Sequence, residues 1–363
     1  MGQLRTVAVT ALDVVVPEGI HDPARPSGGN TYDRVVCRRL RSLGWVVREH
    51  AVSGGWPSPD SGALAALDGV IRRMPDGAVV LLDGLIASAA PEVLVSEARR
   101  LRLVVLVHMP LGDRAVGVPA DTIRTRENAV LSAAAAVVTT SEWSRKRLLA
   151  LYQLPAERLH VAEPGVGAAD LAMGSEAGGA MLCVASVTPD KGHGVLLDAL
   201  QLLSDLTWQC VCVGRLDRTP AFVQRLRRRS RAAGLDDRVH FPGPQAGGDL
   251  DRSYASADLL VLASPAETYG MVITEALAHG VPVVVSEVGG VTEAVGYGSD
   301  GSRPGLLVAP DDPTALAAAL RAWLTDAELR RRLRRAARAR RELLHSWSDT
   351  AAILADVVAG AAR

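Results

Sequence analysis

Lysine is almost missing from this sequence. Of 40 basic residues only Lys146 and Lys191 are lysine, and 40 acidic residues bring the formal net charge to zero. Without a surplus of positive charge there is no global field to hold a polyanion, which excludes nucleic acid as the expected partner. No apolar run approaches the roughly 20 residues needed to cross a bilayer. The N-terminal MGQLRTVAVTALDVVV carries no signal-peptide cleavage pattern, so the expectation is a soluble cytoplasmic protein with no transmembrane segment. The four cysteines, Cys37, Cys183, Cys210 and Cys212, lack the paired spacing of a zinc site and read as buried reduced thiols. The loop TPDKGHG lacks the GxxxxGK[ST] spacing of nucleoside-triphosphatase loops, and the strand end VGRLDR lacks the GxGxxG of hydride-transferring dinucleotide enzymes.

What is present is alternation. Short β-rich runs, TVAVTALDVVV, WVVREHAV, AVVLLDG, RLVVLVH, AVVTT and RLHVAEPG, then AMLCVASV, WQCVCVG, RVHFPG, DLLVLAS, PVVVSEV and GLLVAP, are separated by helical patterns. That pattern specifies parallel sheets covered by helices, and 363 residues suffice for two such domains. The glycine-rich stretch from Ala168 to Ala180 reads as the linker between them. After GLLVAP the chain turns wholly helical, breaks at His345 to Ser348, and ends in a helix from about Asp349 to Ala361 that could pack back onto the first domain. The run Arg330 to Arg341 reads as a solvated basic helix, with contact to an anionic membrane surface as the minority alternative.

Ligands of parallel sheets sit outside the carboxyl ends of the strands, so the loops there carry the chemistry. In SPAETYGMVITEALAHG, Ser264 to Gly280, Glu267 falls in a strand-to-helix loop and Glu275 inside the helix. At a rise of 1.5 Å per residue, eight positions span about 12 Å of helix, too far for paired glycosidase acids, which lie roughly 5 to 9.5 Å apart. Between them the amides of Gly270, Met271 and Val272 open a helix N-terminus suited to a phosphate. Two hydroxyl-binding carboxylates flanking a phosphate site have the span of a sugar nucleotide; a solvated helix face is the plainer reading of the same pattern. Lys191 and Gly192 form another such loop, delivering a cation beside helix-start amides, and Arg215 sits at the same sheet edge. In the first domain Gly28 and Gly29 precede a helix expected near Asn30, and His108 follows a strand. Asp249 and Asp251 form a D-x-D that helix capping and first-turn electrostatics explain better than a metal. No metal site is expected.

Together these loops resemble the retaining glycosyltransferases of family 4. The resemblance runs over nearly the whole chain: the glycine pair, VTTSEWSRKRL, ERLHVAEPGV, TPDKGHGVLLDAL, RVHFPG, and above all the glutamate motif followed by GVPVVVSEVGG. It implies the B-type glycosyltransferase fold: two facing Rossmann-like domains with parallel sheets, an interdomain cleft, and a C-terminal helix packing back on the first domain. The implied parts are an acceptor-binding domain over 1–170, a nucleotide-sugar-binding domain over 171–345, and a crossing helix over 346–363. The implied activity is a hexosyl-type transfer with retention from a nucleotide-diphosphate sugar to a small-molecule, glycan or lipid-linked acceptor, without metal or other cofactor. By position, Glu275 would bind the donor ribose and Glu267 would face the transferred sugar. Lys191 and the amides of Gly270 to Val272 would hold the diphosphate, Gly29 would approach the phosphates, and His108 would contact the sugar. Three departures stand out: Ser186 replaces an arginine common in the family, leaving Arg215 as the substitute; Gly167 follows Gly165-Val166 where an acid is usual; and Tyr269 replaces phenylalanine. The rival readings are a sugar-nucleotide epimerase or a phosphorylase of the same fold, the latter needing a pyridoxal lysine, and a catalytically silent sugar-nucleotide or membrane-surface binding module.

Overall fold

The computed structural model describes residues 11–22, 26–113 and 119–363. All twelve β-rich runs form strands, with Thr6 to Thr10 of the first run outside the described residues. In the first sheet these are β1 (Ala11–Pro17), β2 (Val46–Val52), β3 (Val79–Asp83), β4 (Arg102–Val107), β5 (Ala136–Thr139) and β6 (Leu159–Val161); in the second they are β7 (Ala180–Val184), β8 (Gln209–Val213), β9 (Val239–Gly243), β10 (Leu259–Leu262), β11 (Val283–Ser286) and β12 (Gly305–Val308). The chain divides into two compact units, one holding residues 27–165 and 346–363 together with β1, the other residues 166–345.

Both sheets are six-stranded, and their neighbouring strands run parallel. The first has the order β2-β1-β3-β4-β5-β6 and the second β12-β11-β10-β7-β8-β9. Counted from β7, the second order is that of a doubly wound dinucleotide fold, with its switch point where β7 meets β10. Helices cover both faces. Met181 and Cys183 of β7 and Leu259 and Val261 of β10 enter one core cluster, whereas Leu182, Leu260 and Leu262 enter another. A strand buried on both faces must be apolar at every position, which is why β10 reads LLVL without alternation.

The last helix, Trp347–Ala361, belongs to the first unit, where it packs against the helix Gly28–Ser42 and against β4. Ser346 caps it reciprocally with Asp349, so it starts two residues before the expected Asp349. Thr350 Oγ1 donates to the Glu163 carbonyl at 2.7 Å, and Trp347 meets the Tyr32 ring edge-on with centroids 5.5 Å apart. Gly165 permits that docking: a Cβ there would stand 2.2 Å from the Trp347 nitrogen.

Two expectations need correction. The stretch 168–179 is irregular, but it is fastened to the second unit rather than hung free. Buried Asp258 accepts hydrogen bonds from Ser175 and from the Ala180 amide, and the Ala172 amide donates to the His279 carbonyl at 2.8 Å. The arginine-rich helix, Ala327–Arg341, is likewise not simply solvated. Arg330 donates to the carbonyls of Trp323 and Leu324, Arg340 to that of Val295, and Arg341 to that of Ala169, while Arg334 pairs with Asp258. Guanidinium forks satisfying carbonyls inside the unit are not available to a lipid surface. No helix among the described residues is long and apolar enough to cross a membrane.

Candidate functional site

In the second unit the loops after β7 and β10 meet at the switch point. The β7 loop closes with a short turn, Pro189–Lys191, and then Gly192 at φ 68°. A Cβ on Gly192 would lie 1.9 Å from the Ala263 carbonyl oxygen, so only glycine lets this loop rest on the end of β10. That approach brings Lys191 Nζ to 2.6 Å from Glu267 Oε1, with the two side chains 25% and 14% exposed. Glu267 is also held through its backbone: Gly290 N–H donates to its carbonyl at 3.1 Å, and a Cβ on Gly289 would fall 1.7 Å from that oxygen. The glycine pair closing GVPVVVSEVGG therefore shapes the glutamate loop.

Gly270 caps the next helix, Met271–Ala278, at φ 91° and without a side-chain cap. The first amides of that helix are free of a capping side chain, as an anion site requires. One turn further on, Glu275 Oε2 accepts the Tyr254 hydroxyl at 2.7 Å. Burial raises the Glu275 carboxyl above its usual range, with the Tyr254 hydrogen bond opposing. Arg215 lies at the same sheet edge but forms a two-pronged pair with Asp217 at 2.9 and 2.8 Å, so its charge is partly spent. Asp249 and Asp251 occupy the first turn of Gly248–Ala255, whose cap is Gly247, so first-turn electrostatics accounts for them and capping does not.

In the first unit Gly28 and Gly29 are the opening residues of the helix Gly28–Ser42 instead of a loop before it, because Ser27 caps the helix by accepting from the Asn30 amide at 3.1 Å. Gly29 makes room for His108: a Cβ would sit 3.3 Å from the ring. His108 Nε2 lies 2.8 Å from Asp33 Oδ1 and 3.8 Å from Asp83 Oδ2, with Tyr32 edge-on. Burial opposes a charge on this imidazole, yet the two carboxylates, Asp33 foremost, outweigh it and push its pKa up to about 9. Asp83 in turn is pushed up to about 7, by burial and then by Asp33, with His108 opposing. Asp33 Oδ2 is buried without a hydrogen-bond partner.

Neither aspartate emerges from the sequence reading. The available signals were an acid four residues after Gly29, on the same helix face, and an acid closing the apolar strand VVLLD. Two groups among the described residues have ligand atoms close enough to hold a metal, Asp33 with Asp83 and His108, and Cys183 with His193 and Cys212. The sequence reading anticipated neither. The four cysteines are buried and free.

The family model for glycosyl transferases group 1 matches residues 176–340. A D-inositol 3-phosphate glycosyltransferase 1 from Catenulispora acidiphila is 30% identical over 316 residues, which cover 77% of this chain and 73% of that protein. The chain belongs to the group 1 glycosyl transferases. Other relatives in this family are matched over less of their length: the D-inositol 3-phosphate glycosyltransferase of Jonesia denitrificans is 32% identical across 62% of this chain but 57% of its own. Among solved structures, the sucrose-phosphate synthase of Thermosynechococcus elongatus superposes on this group 1 glycosyl transferase with a TM-score of 0.80 at 21% identity, covering 97% of this chain and 98% of that one. Anabaena Alr3699/HepE in complex with UDP-glucose gives 0.77 at 18%, covering 96% and 99%. At such identities the likeness concerns the fold, that of B-type glycosyltransferases.

Proposed function

We propose that this chain transfers a sugar from a nucleoside-diphosphate donor to an acceptor hydroxyl, with retention of anomeric configuration and without an exchangeable metal. The observation that carries the reading is the Lys191–Glu267 pair at the β7/β10 switch point, beside the uncapped helix start at Gly270. Breaking the anomeric carbon–oxygen bond leaves negative charge on the diphosphate while the sugar becomes oxocarbenium-like. Donors already aimed at that oxygen stabilise the transition state. Lys191 and the amides of Met271 and Val272 have that role, with Lys191 exchanging Glu267 for phosphate when donor binds. Glu267, released, faces the sugar; Glu275 accepts from the ribose hydroxyls. In a retaining transfer the departing phosphate oxygen takes the acceptor proton on the face where the new bond forms, so no separate base is needed.

Relatives named for inositol phosphate and for mannosylfructose phosphate put small phosphorylated polyols first among acceptors to be tried. A panel of nucleoside diphosphates and their sugars, read by thermal shift and then by release of the nucleotide, tests the proposal. One family of ligands should raise the unfolding temperature, and a ligand at 100 times its dissociation constant adds about 2.7 kcal/mol to folding. Its sugar conjugate should then be hydrolysed slowly. Binding without any turnover of the conjugate, with or without acceptors, would leave a silent binding module and overturn the proposal.

A further inference from the structure

The second unit contains a cluster that sugar transfer leaves unused. Cys183 on β7 and Cys212 on β8 stand opposite each other in the parallel register, each 1% exposed. His193 opens the helix His193–Gln201, is 2% exposed, and places Nε2 3.8 Å from Cys183 Sγ. One ligand atom from each of these three residues lies within 4.8 Å of the other two. Cys210 lies in the same core cluster, two residues before Cys212 on β8. Two of the four cysteines thus converge with a histidine although their sequence spacing matches no zinc motif.

Hydrogen bonding alone serves this histidine poorly. Its Nδ1 is buried with no partner, and the contact described for Nε2 is the long one to sulfur. The dimensions suit an ion: with zinc–sulfur and zinc–nitrogen bonds of about 2.3 and 2.1 Å, a tetrahedral site has a sulfur-to-nitrogen edge of roughly 3.6 Å. The edge between Cys183 and His193 measures 3.8 Å.

We propose that Cys183, His193 and Cys212 form a binding site for a thiophilic divalent cation of the zinc type. Binding would displace the thiol protons to solvent, so affinity rises with pH. Its three donors are buried in the core of the second unit, which separates the site from the transfer chemistry. It would tie β7, β8 and the start of the helix together, two residues from Lys191. The inference does not depend on the proposed function.

The test uses the intact protein, purified under reductant, freed of metal by denaturing chelation and refolding, and titrated with cadmium as probe. The expected result is one ion per chain, seen both as bound metal and as thiolate-to-cadmium charge-transfer absorption. Cys212→Ser should weaken binding at least tenfold, and Cys37→Ser, in the first unit, should leave it unchanged. Zinc should raise the unfolding temperature of the wild type. That readout, with the wild-type stoichiometry, stands even if Cys212→Ser fails to fold. No stoichiometric cadmium absorption in the wild type, full affinity in Cys212→Ser, or loss of binding in Cys37→Ser would overturn the assignment.

Discussion

Replacing Lys191 with alanine separates a catalytic cation from a structural one. In the structure Lys191 Nζ sits 2.6 Å from Glu267 Oε1, with one side chain a quarter exposed and the other somewhat less. A charge-assisted hydrogen bond contributes about 1.5 to 3 kcal/mol when well shielded. Water reaches both groups here, so screening brings the expected loss of folding stability to about 1 kcal/mol. The loss in catalysis should be larger. Removing one preorganised donor from a developing negative charge costs roughly 10² to 10³ in turnover, and a hundredfold loss corresponds to about 2.7 kcal/mol of barrier. Turnover at saturating donor, measured beside urea unfolding of the same samples, gives both numbers. The double variant Lys191→Ala/Glu267→Gln should be less destabilised than the sum of its singles, because each removes the same pair. Turnover of Lys191→Ala within about threefold of wild type would refute the reasoning, since the donor effect invoked is at least thirtyfold larger.

Other expectations concern the first unit and the absence of an exchangeable metal. Because the folded-state pKa values of Asp83 and His108 are raised, to about 7 and about 9, the folded protein binds more protons than the unfolded chain. Stability should therefore fall as pH rises, first from the usual carboxylate range through about 7 and then through about 9. Denaturation midpoints across this range should show a shallower decline in Asp83→Asn at the lower end and in His108→Ala at the upper end; unchanged slopes in both would contradict the assignment. Gly165→Ala should cost about 3 kcal/mol in unfolding experiments, the upper end for overpacking, because its Cβ would meet the Trp347 backbone. Stability equal to wild type would mean that the terminal helix is docked otherwise. Treatment with a chelator should leave transfer largely intact, because the residues proposed for transfer need no ion; activity abolished by that treatment and restored by manganese would contradict this.

Central strands such as β3, β10 and β11 were legible because they are buried on both faces, and such strands announce themselves as continuous apolar runs. The second-unit site was legible for a related reason: Lys191 and Glu267 each follow such a run and precede a helix, so their place at the sheet edge follows from local pattern. What the pattern could not provide was pairing across distance. Asp33 and His108 are 75 residues apart and meet because β1 and β4 flank β3, so the segments that follow them come together at its carboxyl end. Cys183 and Cys212 meet only through the register of β7 and β8. The arginine helix keeps the solvated face its composition predicts, at Arg331, Arg332, Arg335 and Arg338, while Arg330, Arg340 and Arg341 are answered by carbonyls that carry no sequence signature. The stretch 168–179 looked like a linker because composition does not reveal that Asp258 fastens it.

The central claim is that one sugar nucleotide spans the second-unit site, its nucleoside end at Glu275 and its sugar at Glu267. Calorimetric titration of wild type, Glu275→Gln and Glu267→Gln with the nucleoside diphosphate and the nucleotide sugar that the donor panel selects tests it most directly. Glu275→Gln should weaken both ligands, by about 1.5 to 3 kcal/mol for each charge-assisted hydrogen bond lost. Glu267→Gln should leave free nucleoside diphosphate binding unchanged or tighter, since Lys191 is no longer engaged, while turnover of the intact donor falls. Equal weakening of the free nucleotide by both substitutions would contradict the claim.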